Sequence, residues 1–383
     1  MLIPPQIIPT VNKINKKYPL CDYCLGRLFL KQLRLSSNRL GKKLNNSQNS
    51  TERCHICKNL FDNLDHFLKL MLDASSNYTF STFGIGVIIK PSIIDRDDSI
   101  RSEFKLKGIN SIKTDVTKEL GKLFSRKTKK RITLLDPEIM FTLNLKDELC
   151  QLRSKSITIS GRYVKSKRGF PQKQKPCDNC SGKGCRTCNF HGIAEFDSVE
   201  GVISKFIFKK FGGMTAKFTW IGGEDKSSLV LGSGRPFFVK IQNPVKRKSK
   251  LSDTMINSVN LNNLKLVNES PKRSIKFTST IRIKISTGDK INSKYLTKLK
   301  ELTTNPVVVY EKSGKRSEKK IFEVKYKKDS TNSFTLIIKA EGGLPIKRFV
   351  IGDDVAPNVA KILETSCICK EFDFLEIVVN DNN

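Results

Sequence analysis

Eight of the eleven cysteines stand in four Cys-x-x-Cys pairs, a spacing that limits the possible folds of this chain more than any other feature. Two sulfurs at that spacing can face one metal ion, and two such pairs form a closed tetrahedral site. The first two pairs, Cys21 with Cys24 and Cys54 with Cys57, predict an N-terminal zinc module. We expect a structural role for this zinc, because no coordination position stays open for a substrate.

The remaining two pairs form a compact cluster in the middle of the chain. Its members are Cys177, Cys180, Cys185 and Cys188. Gly182 and Gly184 permit the tight return that four neighbouring sulfurs need, and His191 is not required as a ligand. We predict a second structural zinc here, although the sequence alone leaves other combinations of the four pairs open. Core or surface thiols are expected at Cys150, Cys367 and Cys369.

Charge and length indicate a nucleic-acid partner. The chain has 383 residues, enough for two or three domains, and a formal net charge of +33. Lysines and arginines bound to phosphates release counterions, so this charge favours a polyanion. The apolar runs are too short to span a bilayer, and Pro4, Pro5 and Pro9 interrupt the N-terminal apolar stretch. We therefore expect a cytoplasmic protein without membrane contact.

Residues 73–172 show the patterns of an α/β domain. An apolar run at 82–89 and alternation at 139–145 predict strands, and apolar residues at helical spacing predict a helix over 114–124. A further strand is expected at 156–160. This domain follows the zinc module of residues 1–72.

The rest of the chain mixes strands and helices. The central cysteine cluster occupies residues 173–195, and residues 196–383 form the last predicted domain. A basic stretch at 243–268 is expected to be a mobile surface insertion. Strands are predicted at 229–231, 237–241, 281–285, 307–310, 334–338 and 372–379.

The segment from Gly222 to Phe237 holds the carboxylate best suited to chemistry. Two glycines, which permit sharp turns and close approach to a ligand, precede Glu224 and Asp225. An acidic pair at a glycine turn is unusual in so basic a chain. Either the pair caps an exposed turn, or one carboxylate acts as a nucleophile.

These motifs together resemble one enzyme family. Residues 222–225 and 234–237 resemble the catalytic-aspartate segment of the THUMP-containing tRNA pseudouridine synthases of archaea and eukaryotes, which act on tRNA positions 54 and 55. Both cysteine sites resemble that family too, as do residues 161–172, which close its tRNA-binding THUMP domain, and residues 343–349. The resemblance implies an α+β fold: a zinc module, a THUMP-like α/β domain, and a catalytic domain with a mixed, largely antiparallel central sheet.

The resemblance also implies a catalytic pair. Asp225 takes the role of the nucleophile, although Gly223 replaces the arginine of the family motif. Lys347, expected in a strand, takes the role of the cation that keeps the aspartate ionised. The reaction breaks and remakes a glycosidic bond of a uridine that has left its stack. It implies no organic cofactor.

Three further residues are candidates for substrate binding. Arg235 either holds an RNA phosphate bidentately or is a turn arginine that pairs with a surface acid. Ile281 stands where the family has a uracil-stacking tyrosine, and Phe277 replaces it if the register differs. Tyr310 is another aromatic candidate.

The expected partner is tRNA, without an obligatory protein partner. Basic runs at 126–131, 246–250 and 312–320 could line its path, together with Lys165, Lys167 and Arg168. Such contacts position RNA without reading its sequence.

Two other functions stay open. The replacements at Gly223, Ile281 and Pro345, where the family has a second tyrosine, are consistent with a non-catalytic tRNA-binding protein of the same ancestry. A THUMP-linked methyltransferase or thiolation enzyme would need a glycine-rich nucleotide-binding turn or a P-loop, and the sequence contains neither.

Overall fold

The computed structural model describes residues 5–29, 36–45, 53–107, 109–311 and 313–380. The chain divides into two compact units, Met1–Lys155 and Ser156–Asn383. The predicted boundaries at 72, 172 and 195 follow sequence motifs and stay a prediction. The segment expected to close the THUMP-like domain lies in the second unit.

The first unit combines helices with a mixed sheet. Its helices are α1 (Ile8–Lys17), α2 (Asp22–Leu28), α3 (Ser37–Leu44), α4 (Leu64–Ser75), α5 (Pro91–Glu103) and α6 (Ile112–Thr128). Its strands are β1 (Thr82–Ile88), β2 (Arg131–Ile132), β3 (Ile139–Asn144) and β4 (Leu149–Ser154). The sheet order is β2-β1-β3-β4, with β1 parallel to both neighbours and β4 antiparallel to β3. The predicted strands and helix of this region are confirmed.

An aromatic cluster joins α6 to this sheet. The hydroxyl of Ser111 accepts a hydrogen bond from the backbone N–H of Thr114 and so caps α6. Phe124 of α6 lies with its ring centroid 4.8 Å from that of Phe83 and 5.1 Å from that of Phe141. All three phenyl rings are fully buried, so they fix α6 on the sheet.

The second unit is dominated by strands. They are β5 (Ile157–Lys165), β6 (Ala216–Trp220), β7 (Val230–Ile241), β8 (Thr254–Ile256), β9 (Val259–Val267), β10 (Phe277–Thr287), β11 (Val307–Tyr310), β12 (Arg316–Lys319), β13 (Ile321–Lys328), β14 (Ser333–Glu341), β15 (Val355–Ala356) and β16 (Cys367–Val379). The helices are α7 (Val199–Phe211), α8 (Ser293–Lys298), α9 (Ile346–Ile351) and α10 (Val359–Leu363).

The large sheet of this unit has the order β13-β14-β10-β16-β7-β5-β9-β8, and β6 also pairs with β7. Strand β16 runs parallel to β7, and the other described pairings in this sheet are antiparallel. Strand β16, the last of the described strands, therefore lies in the middle of the sheet. The prediction of a mixed, largely antiparallel sheet is confirmed.

Two local predictions for this unit were wrong. Residues 243–268 contain the hairpin β8–β9, because Asn257 turns the chain at φ +54° and Val259 and Leu261 alternate inward. The strands predicted at 229–231 and 237–241 are confirmed, and they are parts of one longer strand, β7.

Lys347 lies in a helix and not in the expected strand. Helix α9 begins after Pro345, and its buried residues Ile346, Phe349 and Val350 follow helical spacing. Among the described residues, no helix is both long and apolar enough to cross a bilayer.

Candidate active site

Glycine shapes the loop between β6 and β7, residues 221–229. Gly222 has φ +77°, a conformation that other residues rarely adopt. A Cβ atom on Gly222 would lie 2.5 Å from Cζ of Phe277 and 2.7 Å from Nη1 of Arg235. The loop backbone thus packs directly on both side chains, and only glycine fits there.

Glu224, in this loop, has a completely buried side chain. Its carboxylate lies 3.0 Å from Nζ of Lys165 and 3.4 Å from Nε of Arg235, and it accepts a hydrogen bond of 2.9 Å from the hydroxyl of Tyr163. We call these four residues the inner cluster. Lys165 also donates to the backbone carbonyl of Asp225 at 3.2 Å. The inner cluster therefore fixes the position of the next residue.

Asp225 reaches solvent, with 31% of its side chain exposed. Its Oδ2 accepts a hydrogen bond of 2.7 Å from Nζ of Lys347. Its Oδ1 accepts hydrogen bonds from the backbone N–H and the hydroxyl of Ser227, at 2.9 and 2.7 Å. We call Asp225 and Lys347 the outer pair. The structure brings the two predicted catalytic residues together.

The outer pair keeps the Asp225 carboxylate ionised. Partial burial raises its pKa, but the hydrogen bonds from Lys347 and Ser227 lower it more, so the pKa is about 2. An accessible carboxylate that is charged at neutral pH and held at both oxygens is chemically suited to nucleophilic attack.

Arg235 is too buried for the predicted contact with RNA phosphate. Its side chain is 1% exposed, and Nη1 donates to the carbonyl of Ile221 at 2.8 Å. The guanidinium lies 4.3 Å from the ring centroid of Phe374, a cation–π contact. Arg235 therefore belongs to the inner cluster, and the acid that it pairs with is the buried Glu224 and not the surface acid of the alternative prediction.

Ile281 also lacks the surface that its predicted role requires. It is 3% exposed in β10, opposite Phe374 of β16, so it presents no face on which uracil could stack. Tyr310 is 49% exposed in β11, and its carbonyl accepts a hydrogen bond of 2.5 Å from Arg348, the neighbour of Lys347. A contact between Tyr310 and uracil stays a prediction.

Two cations of the expected RNA path have internal roles. Lys165 is completely buried in the inner cluster. Arg168 donates two hydrogen bonds, of 2.6 and 2.9 Å, to the carboxylate of the buried Asp373. The alternation of β5 could have revealed Lys165, because it shares the inward face with Ile159 and Tyr163. Lys312, the first residue of the basic run at 312–320, lies outside the described residues.

The eight predicted metal ligands form two groups of four, and in each group the sulfurs lie within 4.8 Å of one another. The Sγ atoms of Cys21 and Cys57 are 3.6 Å apart, and those of Cys180 and Cys188 are 3.8 Å apart. A tetrahedral zinc ion at ~2.3 Å from each sulfur would place the sulfurs ~3.8 Å from one another. Both groups could hold zinc, and the predicted grouping of the pairs is confirmed.

The surroundings of the central group suit thiolates. The backbone N–H of Gly184 donates to Sγ of Cys180 at 3.2 Å. His191 is stacked on Phe208, with ring centroids 4.0 Å apart, and its Nδ1 lies 3.0 Å from a backbone carbonyl. The imidazole is thus held away from a ligand role.

Known proteins match both units. A family model described as "Pus10, C-terminal" matches residues 158–378, and one described as "Pus10 THUMP domain, archaeal" matches residues 67–144. The "tRNA pseudouridine synthase Pus10" of Nitrosopumilus maritimus is 65% identical, over 98% of each chain. The proteins of that name from Cenarchaeum symbiosum and Methanocaldococcus jannaschii are 36% and 32% identical, over 95% and 97% of this chain and 91% and 94% of theirs.

These matches, together with the fold and the site, define the class of this protein as the tRNA pseudouridine synthases, which are isomerases. Within that class the chain belongs to the Pus10 family. The predicted family resemblance and the THUMP domain are confirmed. Among solved structures, a Cbf5-Nop10-Gar1 complex matches at a TM-score of 0.30 and 8% identity, over 57% of this chain and 48% of that one.

Proposed function

We propose that this protein isomerises uridine 54, uridine 55 or both in the T loop of tRNA to pseudouridine, with Asp225 as nucleophile. The observation that carries the proposal is the 2.7 Å contact between Oδ2 of Asp225 and Nζ of Lys347 at an exposed position. The ammonium stabilises the carboxylate in its ionised form, which is the form that attacks.

The reaction is an exchange of bonds within one nucleoside. The Asp225 carboxylate attacks C1′ of the extruded uridine, and the bond between N1 of uracil and C1′ breaks. The base turns, C5 bonds to C1′ as the bond between Asp225 and C1′ breaks, and the proton of C5 is lost while N1 gains one. The atoms of substrate and product are the same, so the chemistry needs no redox partner. Tyr310 is our candidate for holding the freed base.

The decisive experiment compares wild type with Asp225→Asn on an unmodified tRNA transcript, with pseudouridine located by chemical mapping. We expect the rate of the variant to fall at least ~10⁴-fold, as for other lost nucleophiles. Asp98→Asn, which removes an exposed carboxylate from α5, serves as the matched control and should keep full activity.

Full activity in Asp225→Asn would remove Asp225 from the nucleophile role. If the wild type bound tRNA but formed no pseudouridine at either position, the non-catalytic tRNA-binding function would replace the proposal.

We further propose that each cysteine group holds one structural zinc ion. The four-cysteine sets and their sulfur spacing support this assignment. Purified protein should contain about two zinc ions per chain. Cys57→Ser and Cys185→Ser should each lose one ion and stability, whereas Cys150→Ser, outside both groups, should retain both ions. A wild-type content well below two would contradict the assignment.

tRNA is the proposed partner, and the cytoplasm, where tRNA is available, is the proposed location. The net charge of +33 supports strong electrostatic attraction. Binding should weaken steeply as salt rises, because each phosphate contact releases counterions. Affinity that is independent of salt would contradict this part of the proposal.

A further inference from the structure

A cavity of ≈ 580 Å³ opens in the second unit, and Gly222 of the loop that carries Asp225 lines it. Its walls come from the end of β6 with the following loop, from residues 271–277, and from the ends of β12 and β14. Neither Asp225 nor Lys347 lines it. It is therefore a space separate from the outer pair, with a volume in the range of small-ligand sites, ~300–1,000 Å³.

Phe277, which lines the cavity, packs against the two loops that carry the outer pair. A Cβ atom on Gly222 would lie 2.5 Å from the ring of Phe277, and one on Gly342 would lie 2.3 Å from the same ring. The ring is thus in contact with the backbone of both glycines. Gly222 precedes Asp225 in one loop, and Gly342 precedes Lys347 in the other. Whatever fills the cavity contacts the segments that carry the outer pair.

The walls combine aromatic rings with free cations. Trp220 and Phe277 are both half-buried and line the cavity. One face of the Trp220 ring is stacked on Phe218, with ring centroids 4.8 Å apart, which leaves its other face for a ligand. Three cations, Arg273, Lys276 and Lys319, line it as well. Among the described residues, none of these three cations has an acid within ion-pair distance.

The cavity wall holds two acids. Glu318 pairs with Arg316 at 2.7 Å, and a carboxylate oxygen of Glu341 accepts from the backbone N–H of Lys320 at 3.2 Å. That N–H is neutral, so Glu341 keeps its charge, but the three cations outnumber it and the net charge of the wall is positive. Rings that accept a stacked base and free cations that accept a phosphate are the two features of sites for single-stranded nucleotides.

We propose that this cavity binds the nucleotide that flanks the target uridine, with its base on Trp220 and Phe277 and its phosphate on Lys276 and Lys319. This inference rests on the proposed function, since it takes the target to lie at Asp225. It adds a subsite that orders the two loops of the outer pair when RNA is bound.

Trp220 is the only tryptophan of the chain and lines the cavity, so tryptophan fluorescence reports on this one side chain. The experiment titrates Asp225→Asn protein, which binds without turnover, with unmodified tRNA. We expect the fluorescence of Trp220 to change on binding and its quenching by acrylamide to decrease. Saturating tRNA, verified by filter binding, that leaves both quantities unchanged would overturn the proposal.

A charge-matched pair of variants tests the cations. Lys276→Ala with Lys319→Ala should weaken tRNA binding ~10-fold or more and reduce the Trp220 response. Lys325→Ala with Lys327→Ala removes two exposed cations from β13 outside the cavity and should weaken binding less than ~3-fold. Equal losses in both double variants would contradict a specific subsite.

Abasic RNA identifies the bound nucleotide. Two stem-loop RNAs are compared, one with an abasic residue directly 5′ of the target uridine and one with an abasic residue directly 3′ of it. One of these two RNAs should give no Trp220 response. An abasic residue three positions away should not abolish the response. A response that persists in both neighbouring cases overturns the assignment. Because these readouts do not need turnover, a loss of the subsite and a loss of the proposed catalytic function can be told apart.

Discussion

Glu224 and Asp225 are neighbours in sequence, and their carboxylates lie in opposite environments. The carboxylate of Glu224 is completely buried against Lys165 and Arg235 in the inner cluster. The carboxylate of Asp225 meets solvent and the half-exposed Lys347 in the outer pair. The first arrangement is suited to holding a loop, and the second is suited to meeting a substrate.

The difference indicates that the burial of an ion pair decides whether its loss would reduce mainly stability or mainly activity. Removing one partner of a buried pair leaves a charge in a medium that cannot solvate it, which costs far more than losing an exposed pair. We therefore expect changes in the inner cluster to reduce stability and changes in the outer pair to reduce activity. Three variants test this separation.

The largest effect is expected from Glu224→Gln. It retains the shape of the side chain but leaves Lys165 and Arg235 buried without a counter-charge. The free energy of unfolding should fall by ~3–5 kcal/mol. Urea denaturation followed by circular dichroism measures this change. Asp225→Asn is the matched control and should change the same quantity by less than ~1 kcal/mol. Equal changes in the two variants would remove the proposed distinction.

The second effect is expected from Lys347→Met. Without the ammonium, the pKa of Asp225 should rise from about 2, because partial burial then acts against fewer favourable contacts. The carboxylate acts in its charged form, so activity is lost as pH falls through this pKa. The acid limb of kcat/KM should therefore move to higher pH in the variant.

At neutral pH we expect kcat/KM of Lys347→Met to fall ~10²-fold, since the cation no longer orients the nucleophile. Lys347→Arg, which keeps a cation, should keep the acid limb close to that of the wild type. Profiles of kcat/KM for both variants between pH 4 and pH 8 test whether Lys347 controls the ionisation of Asp225. A limb that stays in place in Lys347→Met would show that Lys347 does not control the ionisation of Asp225.

The smallest effect is expected from Ser227→Ala. It removes the hydroxyl hydrogen bond to Oδ1 of Asp225 and leaves the bond from the backbone N–H of Ser227 in place. A single hydrogen bond to a charged group contributes ~1.5–3 kcal/mol at most, so we expect kcat to fall ~10-fold. Ser227→Thr keeps the hydroxyl and should restore most of kcat. Identical kcat in wild type and Ser227→Ala would exclude a role for the hydroxyl.

Local patterns predicted much of the fold. The alternation at 139–145 and the helical spacing at 114–124 match β3 and α6, because each pattern reflects burial of one face. Residues 243–268 misled us because their lysines and asparagines mask a hairpin whose inward residues are few. Lys347 was placed in a strand because residues 343–349 resemble a strand of the family, and the structure has the six-residue helix α9 there.

The residues of the site that belong to a sequence motif could be predicted. Those that the pairing of strands brings into the site could not. Asp225 and Lys347 follow from family motifs, and the structure shows their contact. The roles of Arg235 and Lys165 depend on which side chains become buried around Glu224, and that is decided by pairing between β5 and β7. Ile281 occupies a motif position, but its burial opposite Phe374 of β16 follows from the arrangement of the sheet and not from the motif.

The central place of β16 has a consequence for biosynthesis. In the described sheet, β16 alone connects the half that contains β10 and β14 with the half that contains β7 and β5. Asp225 precedes β7, and Lys347 follows β14, so each half contributes one member of the outer pair. A nascent chain therefore exposes two unfinished sheet edges until β16 has left the ribosome. A chain that terminated before Cys367 would contain both Asp225 and Lys347 but would lack β16, the strand that joins the two halves of the sheet.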